Sequence, residues 1–359
     1  AKMFVAVPFV TKRVYFKTEG RFYIEFHEDL MPYIPVKVKI KKCNKRVILH
    51  FGAVDYESFI YVNHKQAYHN VGGYVGFDID ITDYVKVGEE NIITVCAKDT
   101  HPNDKASGKQ CENYYSIECC YTRTTGIWQT VWLEYVEKNY IKSVKYYPSI
   151  EQKSVQIELD VVGNADFKAI AYFEGKNVGK TSATLKNGIN RVTLSLDELH
   201  LWEAGKGGLY DIELFYGEDK VKSYFGIRST SFDNRNYLLN GKPVFLRTVL
   251  DQGYYKDGIY TAQSDEELSR DILLSFEAGF NGARLHQKIF EPRFLYHCDR
   301  LGYLVFGESP NAHLDYSDMN QLTPFLLEWQ REVKRDFNHP SIIGWCPLNE
   351  TWDWENRMR

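Results

Sequence analysis

The chain has 359 residues, 44% hydrophobic and 26% charged, with a formal net charge of −4. That length exceeds one ordinary core and suggests two or three domains of a soluble globular protein. With no long run of either charge sign, a nucleic-acid partner is not expected, and no apolar stretch of about 18 residues offers a membrane span.

Aromatic residues make up 15% of the chain, with 26 Tyr, 21 Phe and 7 Trp. Such a share suits β-rich cores and sheet faces, and equally platforms for sugar rings. The densest basic stretch, Lys37, Lys39, Lys41, Lys42, Lys45 and Arg46, partly alternates with Val36, Val38 and Ile40 and reads as the solvated face of a strand. The seven cysteines include no C-x-x-C pair, so zinc and thioredoxin-type chemistry have no support. Free thiols in a reducing compartment, and an amino terminus without an apolar leader, predict a cytoplasmic protein.

Residues 1–138 read as short strands. Arg46–Phe51, Ser58–Asn63, Val75–Ile81, Asn91–Ala97 and Gly126–Glu134 are apolar or alternate, with turns at Asn63-His64-Lys65 and Gly88. This spacing predicts a jelly-roll β-sandwich. Trp128 and Trp132, four apart, are expected on one face in its core. Residues 139–228 continue with strands at Ser154–Val162, Ala169–Phe173, Asn190–Leu196 and Tyr210–Tyr216, which suits an immunoglobulin-like sandwich without an intersheet disulfide.

From residue 229 the period changes. Strands are expected at Pro243–Val249, Phe280–His286, Tyr303–Glu308 and Ser341 into Glu350. Between them, Ser264-Asp-Glu-Glu267 is a capping box opening a helix with Leu268, Ile272 and Phe276 on one face and Gly279 near its end. Pro292 opens a second helix, stopped by Gly302, and a third carries Phe325, Leu326, Trp329 and Val333, ending at Asn338-His339-Pro340. Alternation of strand and helix predicts the first four βα units of a (β/α)8 TIM barrel over 229–359.

Barrel enzymes place their chemistry at the carboxyl ends of the strands. That rim holds Asp251 and Gln252 after the first strand, then Arg284, His286 and Gln287 after the second. Glu308 and Asn311 follow the third, and Asn349 and Glu350 the fourth, with Trp352 and Trp354 beyond. Carboxylates and amides bind hydroxyls in pairs and indole faces pack on pyranose rings, so the set matches a carbohydrate. Each member has a plainer reading: Arg284 pairs with Glu308, His286 is a core histidine held by a carbonyl, and His339 caps a loop. His313 and Asp315 beside Glu308 are a weak metal signal.

Four segments carry a resemblance. They are Tyr61–Lys65 with Gly72–Thr82, Thr124–Glu134, Phe280–Gln287, and Asn338-His-Pro-Ser-Ile-Ile-Gly-Trp-Cys-Pro-Leu-Asn-Glu350. In this order they resemble glycoside hydrolase family 2, the β-galactosidases, β-glucuronidases and β-mannosidases. The resemblance implies a jelly roll, an immunoglobulin-like domain and a barrel. It implies a retaining double displacement between carboxyls about 5–5.5 Å apart, with Glu350 as general acid/base. Asn349 would contact the hydroxyl beside the anomeric carbon, and Arg284 would support the nucleophile's site. Burial and a nearby nucleophile are expected to raise the pKa of Glu350.

The family's nucleophilic Glu lies on the seventh barrel strand, whereas four strands are counted here. These residues are therefore expected to be inactive alone, with a further or partner segment completing the barrel. The stretch before Lys45 aligns poorly with the family. Its metal ligands are unmatched in Glu308-Ser-Pro-Asn-Ala-His313, so no metal or other cofactor is expected. Asn349, Arg284, His286, Asp251, Glu308 and Trp354 are the expected sugar contacts. No basic cluster at the strand ends suggests a glucuronide. The runner-up is a catalytically dead carbohydrate-binding or scaffolding protein, and either form suits a homo-oligomer.

Overall fold

The computed structural model describes residues 3–5, 33–41, 44–100, 104–111, 113 and 115–351. Two four-stranded antiparallel sheets form the first unit. One is ordered Met3–Val5, Val131–Val136, Arg46–Phe51, Phe77–Asp80; the other Tyr33–Lys39, Glu90–Lys98, Glu57–Val62, Lys65–Val71. Residues of alternate parity point inward, as the pleat requires: Phe77 and Ile79 are buried between Asp78 and Asp80. Leu49, Phe51, Ile79 and Leu133 of one sheet pack against Val38, Ile60, Val62, Ile93 and Val95 of the other. Each such side chain contributes about 1.5–3 kcal/mol by burial. The turn expected at Asn63-His64 has φ of 49° and 67° at those residues, the pair of left-handed conformations that a tight hairpin needs.

Trp128 and Trp132 do not share a face. Gly126–Ile127 pairs with Val54–Asp55 in a small two-stranded sheet, and the chain enters the four-stranded sheet only at Val131–Val136. Trp132 is half-buried and stacks on His50 at 4.7 Å. Trp128 is buried in a separate cluster with Tyr74, Val75, Tyr260 and Ile289, where the first unit meets the C-terminal one. The expectation of a common core position fails because the strand is interrupted between the two residues.

The second unit packs a three-stranded sheet (Tyr140–Ser149, Ser154–Val162, Gly188–Ser195) on a four-stranded one (Lys176–Leu185, Ala165–Phe173, Leu209–Tyr216, Asp219–Gly226). Val155, Ile157, Leu159 and Val161 meet Ala169, Ala171, Ile212 and Leu214 in its core. A small antiparallel sheet follows, Thr230–Asp233, Asn236–Leu239 and Lys242–Pro243. Pro243 belongs there, so the strand expected from Pro243 begins only at Thr248. A short antiparallel edge accepts proline, which lacks the N–H that an inner strand must donate.

The C-terminal unit is a four-stranded parallel sheet in chain order: Thr248–Asp251, Gly282–Leu285, Leu304–Glu308 and Ile342–Cys346. Among the described residues its first and fourth strands have one neighbour each. Helix α1 (Asp265–Glu277) starts at Ser264, whose hydroxyl accepts from Glu267 N at 3.3 Å. Glu267 reaches back past the cap to accept from Gln263 N at 2.6 Å, a variant of the expected box. Helix α2 (Pro292–Leu301) ends at Gly302 with φ +72°.

Helix α3 (Met319–Arg335) departs from expectation. Leu326 is 44% exposed, whereas Phe325, Glu328 and Glu332 are buried. The inward face is partly acidic, and Glu328 is turned in because it meets backbone donors. Glu328 Oε1 accepts from Tyr74 N at 2.7 Å and Val75 N at 3.1 Å, across from the first unit. Among the described residues no helix is long and apolar enough to cross a membrane.

The second unit docks on the parallel sheet through Asp299. Trp202 Nε1 donates to its carbonyl at 2.7 Å, and Tyr224 Oη and Ser341 N donate to its buried carboxylate. His339 is therefore no mere loop cap: its Nδ1 lies 2.6 Å from Asp299 Oδ2. Asn338 beside it bonds Tyr146 N and Val144 O of the second unit.

Two outcomes follow from this packing. A Cβ on Gly282 would sit 2.1 Å from the carbonyl oxygen of Leu304 in the adjacent strand. Gly282→Ala is expected to cost about 1–3 kcal/mol, read as a lower urea midpoint; an unchanged midpoint would contradict the stated geometry. Burial alone would lower the pKa of His339, but the carboxylate of Asp299 outweighs it and holds the imidazole above its ordinary value. The stabilisation is then fully present below about pH 6.5 and is lost as pH rises through the raised folded value. Melting temperature should fall across that window, and His339→Gln should flatten the fall; parallel curves for the two proteins would rule the pair out.

Candidate active site

The rim of the parallel sheet is organised around a carboxylate with no solvent exposure, Glu308, the last residue of the third strand. Arg284 of the second strand donates its Nε to Glu308 Oε2 and its Nη2 to Asn349 Oδ1, the latter at 2.7 Å. Gln287 N donates to Glu308 Oε1 at 3.1 Å. His286 Nδ1 lies 2.8 Å from the same oxygen, in ion-pair range but off the line of a hydrogen bond. Burial pushes the Glu308 carboxyl up, and His286 and Arg284 outweigh it, so the group rests below its usual range. The guanidinium, conversely, loses through burial and gains more from Glu308.

A second layer of amides fixes the fourth strand. Asn311 Oδ1 accepts from Asn349 N at 2.8 Å and Gln287 Nε2 at 3.1 Å, and Asn311 Nδ2 donates to Asn349 O at 2.8 Å. The backbone turns sharply at the rim: Gln287 has φ +56° and Glu350 φ +47°, a left-handed conformation that costs a residue with a Cβ about 1 kcal/mol. Glu350 is exposed there. The burial expected of this residue is therefore absent, because Asn349, not Glu350, takes the inward position. Among the described residues it makes no ion pair.

Arg284, His286, Glu308 and Asn349 thus stand in one connected network. Asp251 joins it through its backbone alone: its carbonyl accepts from His286 N at 2.7 Å, and its carboxylate turns onto Gly253 N at 2.9 Å. Burial raises the pKa of that carboxyl. Trp354 and Trp352 lie outside the described residues. His313 bonds Ser107 Oγ at 2.8 Å, and Asp315 caps Ser317, so the two do not turn together towards Glu308. Among the described residues no three His, Cys, Asp or Glu side chains gather as a metal set.

Two participants escaped the sequence reading. Tyr316 Oη takes the remaining donor of Asn311 at 2.5 Å. Tyr121, from the first unit, donates to Gln252 Oε1 at 2.7 Å and stacks on Tyr254 at 3.8 Å. Neither sits at a strand end, so no periodicity could have found it.

Comparison with known proteins supplies the frame for this arrangement. The model described as the sugar binding domain of glycosyl hydrolases family 2 matches residues 32–134, and that described as glycosyl hydrolases family 2 matches 139–228. Together they cover more than half of the chain. A putative β-glucuronidase of Formosa agariphila is 27% identical over 338 residues, 87% of this chain and 39% of that protein. A β-galactosidase of Thermoanaerobacter pseudethanolicus is 26% identical over 364 residues, 94% of this chain and 46% of that protein. The chain thus spans less than half the length of these two relatives.

Among solved structures, the β-glucuronidase of Faecalibacterium prausnitzii superposes with a TM-score of 0.76 at 23% identity, covering 88% of this chain and 58% of that one. That of Bacteroides uniformis gives 0.76 at 22%, covering 92% and 43%. At such identities the superpositions speak to the fold alone. Two successive domain matches and relatives along most of its length establish that the chain belongs to glycosyl hydrolases family 2.

Proposed function

We propose that this chain carries the acid/base half of a retaining β-glycosidase site, with Glu350 as the general acid/base. The observation that carries this reading is Arg284, which bonds Glu308 and Asn349 at once and thereby sets the residue before Glu350 at the carboxyl end of the sheet. On this reading the first unit is a jelly roll over 1–138 and the second an immunoglobulin-like sandwich over 139–228. Residues 229–359 supply the first four βα units of a (β/α)8 barrel.

Asn349 contacts the hydroxyl beside the anomeric carbon, and Arg284 faces the position of the nucleophile. Glu308, fully buried, supports these two rather than touching sugar. His286 backs the same carboxylate, and Asp251, with its carboxylate on Gly253, shapes the neighbouring wall. The second carboxylate of the double displacement comes from a further segment that closes the sheet. The relatives' greater length supports such a segment. Its strands would also cover Glu350 and give a proton donor the low-dielectric surroundings it needs near neutral pH.

In the first step Glu350 protonates the departing glycosidic oxygen while the second carboxylate bonds the anomeric carbon. In the next, Glu350 takes a proton from water as the water oxygen bonds the anomeric carbon and expels the second carboxylate, which releases the sugar with its configuration retained. The relatives are named for both glucuronides and galactosides, and the proposed substrate class is the β-linked glycosides that include both, with a β-galactoside as the first choice. Cys111, Cys119, Cys120, Cys298 and Cys346 are free thiols, which suits a reducing, cytoplasmic location.

Nitrophenyl β-galactoside and β-glucuronide, assayed on the 359 residues alone, are expected to show neither a burst nor turnover. Release of nitrophenol by the purified chain would end the divided-site reading. In a protein extended through the second carboxylate, Glu350→Gln should lower kcat/KM for glycosides with poor leaving groups by about 10²–10⁴-fold. Activated aryl glycosides, which need less protonation, should lose far less in the glycosylation step. Equal activity of variant and parent towards an alkyl glycoside would remove Glu350 from its assigned role.

A further inference from the structure

Lys288 lies three residues beyond the second parallel strand and is 2% exposed. Its ammonium donates to the carbonyl oxygens of Gly253 and Tyr260, the second at 2.7 Å. Among the described residues no carboxylate pairs with it; Glu291, Asp251 and Asp271 act only through the longer-range field. Instead it is boxed by rings. The centroids of Tyr260, Phe290, Trp128, Tyr255 and Tyr254 stand at 4.7, 5.2, 5.4, 5.5 and 6.0 Å from Nζ. Ring faces are negative, so the box replaces part of the lost hydration of the cation. Gly253, with φ +63°, makes room for the stem: a Cβ there would meet Lys288 Cδ at 2.9 Å and Phe290 Cζ at 2.7 Å.

The two carbonyls belong to the loop that leaves the first parallel strand at Asp251. That loop is shared by two units. Tyr121 of the first unit bonds Gln252 and stacks on Tyr254, Tyr74 Oη meets Tyr260 Oη at 3.0 Å, and Thr261 Oγ1 donates to Trp128 O at 2.7 Å. An ammonium is a compact charge with three donors, and here it ties two points of one loop seven residues apart. A methionine would fill the box but leave both buried carbonyls without this donor.

We propose that Lys288 is a positioning residue for the sugar site: by drawing the carbonyls of Gly253 and Tyr260 onto one ammonium, it fixes where Asp251 and Gln252 stand at the mouth. The idea rests on the glycosidase reading above for what the mouth binds. Burial pulls the ammonium's pKa down to about 8. Burial also raises Tyr254, Tyr255 and Tyr260 far out of that range. The carboxyls that face the box, Asp251 and Glu291, are raised by burial too, and Asp271 rises to about 6.

The test uses the protein extended through the second carboxylate and three readouts. Indole emission should show a transition with a midpoint near pH 8, absent in Lys288→Met and in Trp128→Phe. Amide exchange in the 252–261 loop should accelerate about tenfold in Lys288→Met, and in the parent protein above that pH. With a nitrophenyl glycoside, Lys288→Met should raise KM about tenfold while kcat stays within about twofold, and only the parent's KM should rise with pH. Unchanged loop exchange, or an unchanged KM, overturns the positioning role. If no glycoside is turned over, the glycosidase reading falls separately and loop exchange still decides Lys288. If Lys288→Met does not fold, the parent's emission and exchange across pH 8 decide it.

Discussion

A carboxylate cut off from water must be compensated by the protein or lose its charge. Glu308 meets this constraint with the Arg284 side chain of the second strand, the Gln287 amide just beyond it and the His286 ring in ion-pair range. His286 and Arg284 outweigh burial and hold the acid in its charged form. The arrangement is rigid, because removing one partner of a buried charge commonly costs about 3–5 kcal/mol. Arg284 is consequently fixed at one end, and its other end is free to orient Asn349. The direction in which the fourth strand leaves the sheet follows from that single carboxylate.

The same rule, buried charge matched to backbone or to opposite charge, joins the three units. Glu328 of α3 faces inward because the peptide donors of Tyr74 and Val75 arrive there with no strand to bond. Asp299 of α2 collects Tyr224, His339 and the amide of Ser341 beneath the second unit. Neither sandwich is held by apolar contact alone. The positions that face the junctions are polar on the helix and polar or aromatic on the sandwich, so the units meet in one register.

Much of this was legible in the sequence because it is periodic. Alternating apolar runs located strands in both sandwiches, although Lys65–Val71, Tyr140–Ser149, Lys176–Leu185 and Asp219–Gly226 were not among them. Ser264, Pro292, Gly279 and Gly302 marked helix ends where the structure has them. The change of period after residue 228 announced a parallel sheet, and reading strand ends gathered Arg284, His286, Glu308 and Asn349 before any geometry was known. What failed were the places where tertiary contact overrides period. Trp128 left its strand to fill a junction, Pro243 was claimed by a small antiparallel sheet, and α3 turned acids inward instead of Leu326. Tyr121 and Lys288 act across distances in sequence that no local pattern encodes.

The exposure of Glu350 has a consistent physical sense. Its neighbour Asn349 is held by Arg284 and by Asn311 through both amide and carbonyl, and its own backbone is left-handed. The position of the acid is thus set by the residue before it. An acid/base group must exchange its proton twice in a double displacement, once with a leaving oxygen and once with water. A side chain locked into the buried network, as Glu308 is, could do neither without breaking a charge pair. Fixing the backbone firmly while leaving the carboxyl without an ion pair among the described residues meets both demands of the proposed roles, structural for Glu308 and proton transfer for Glu350.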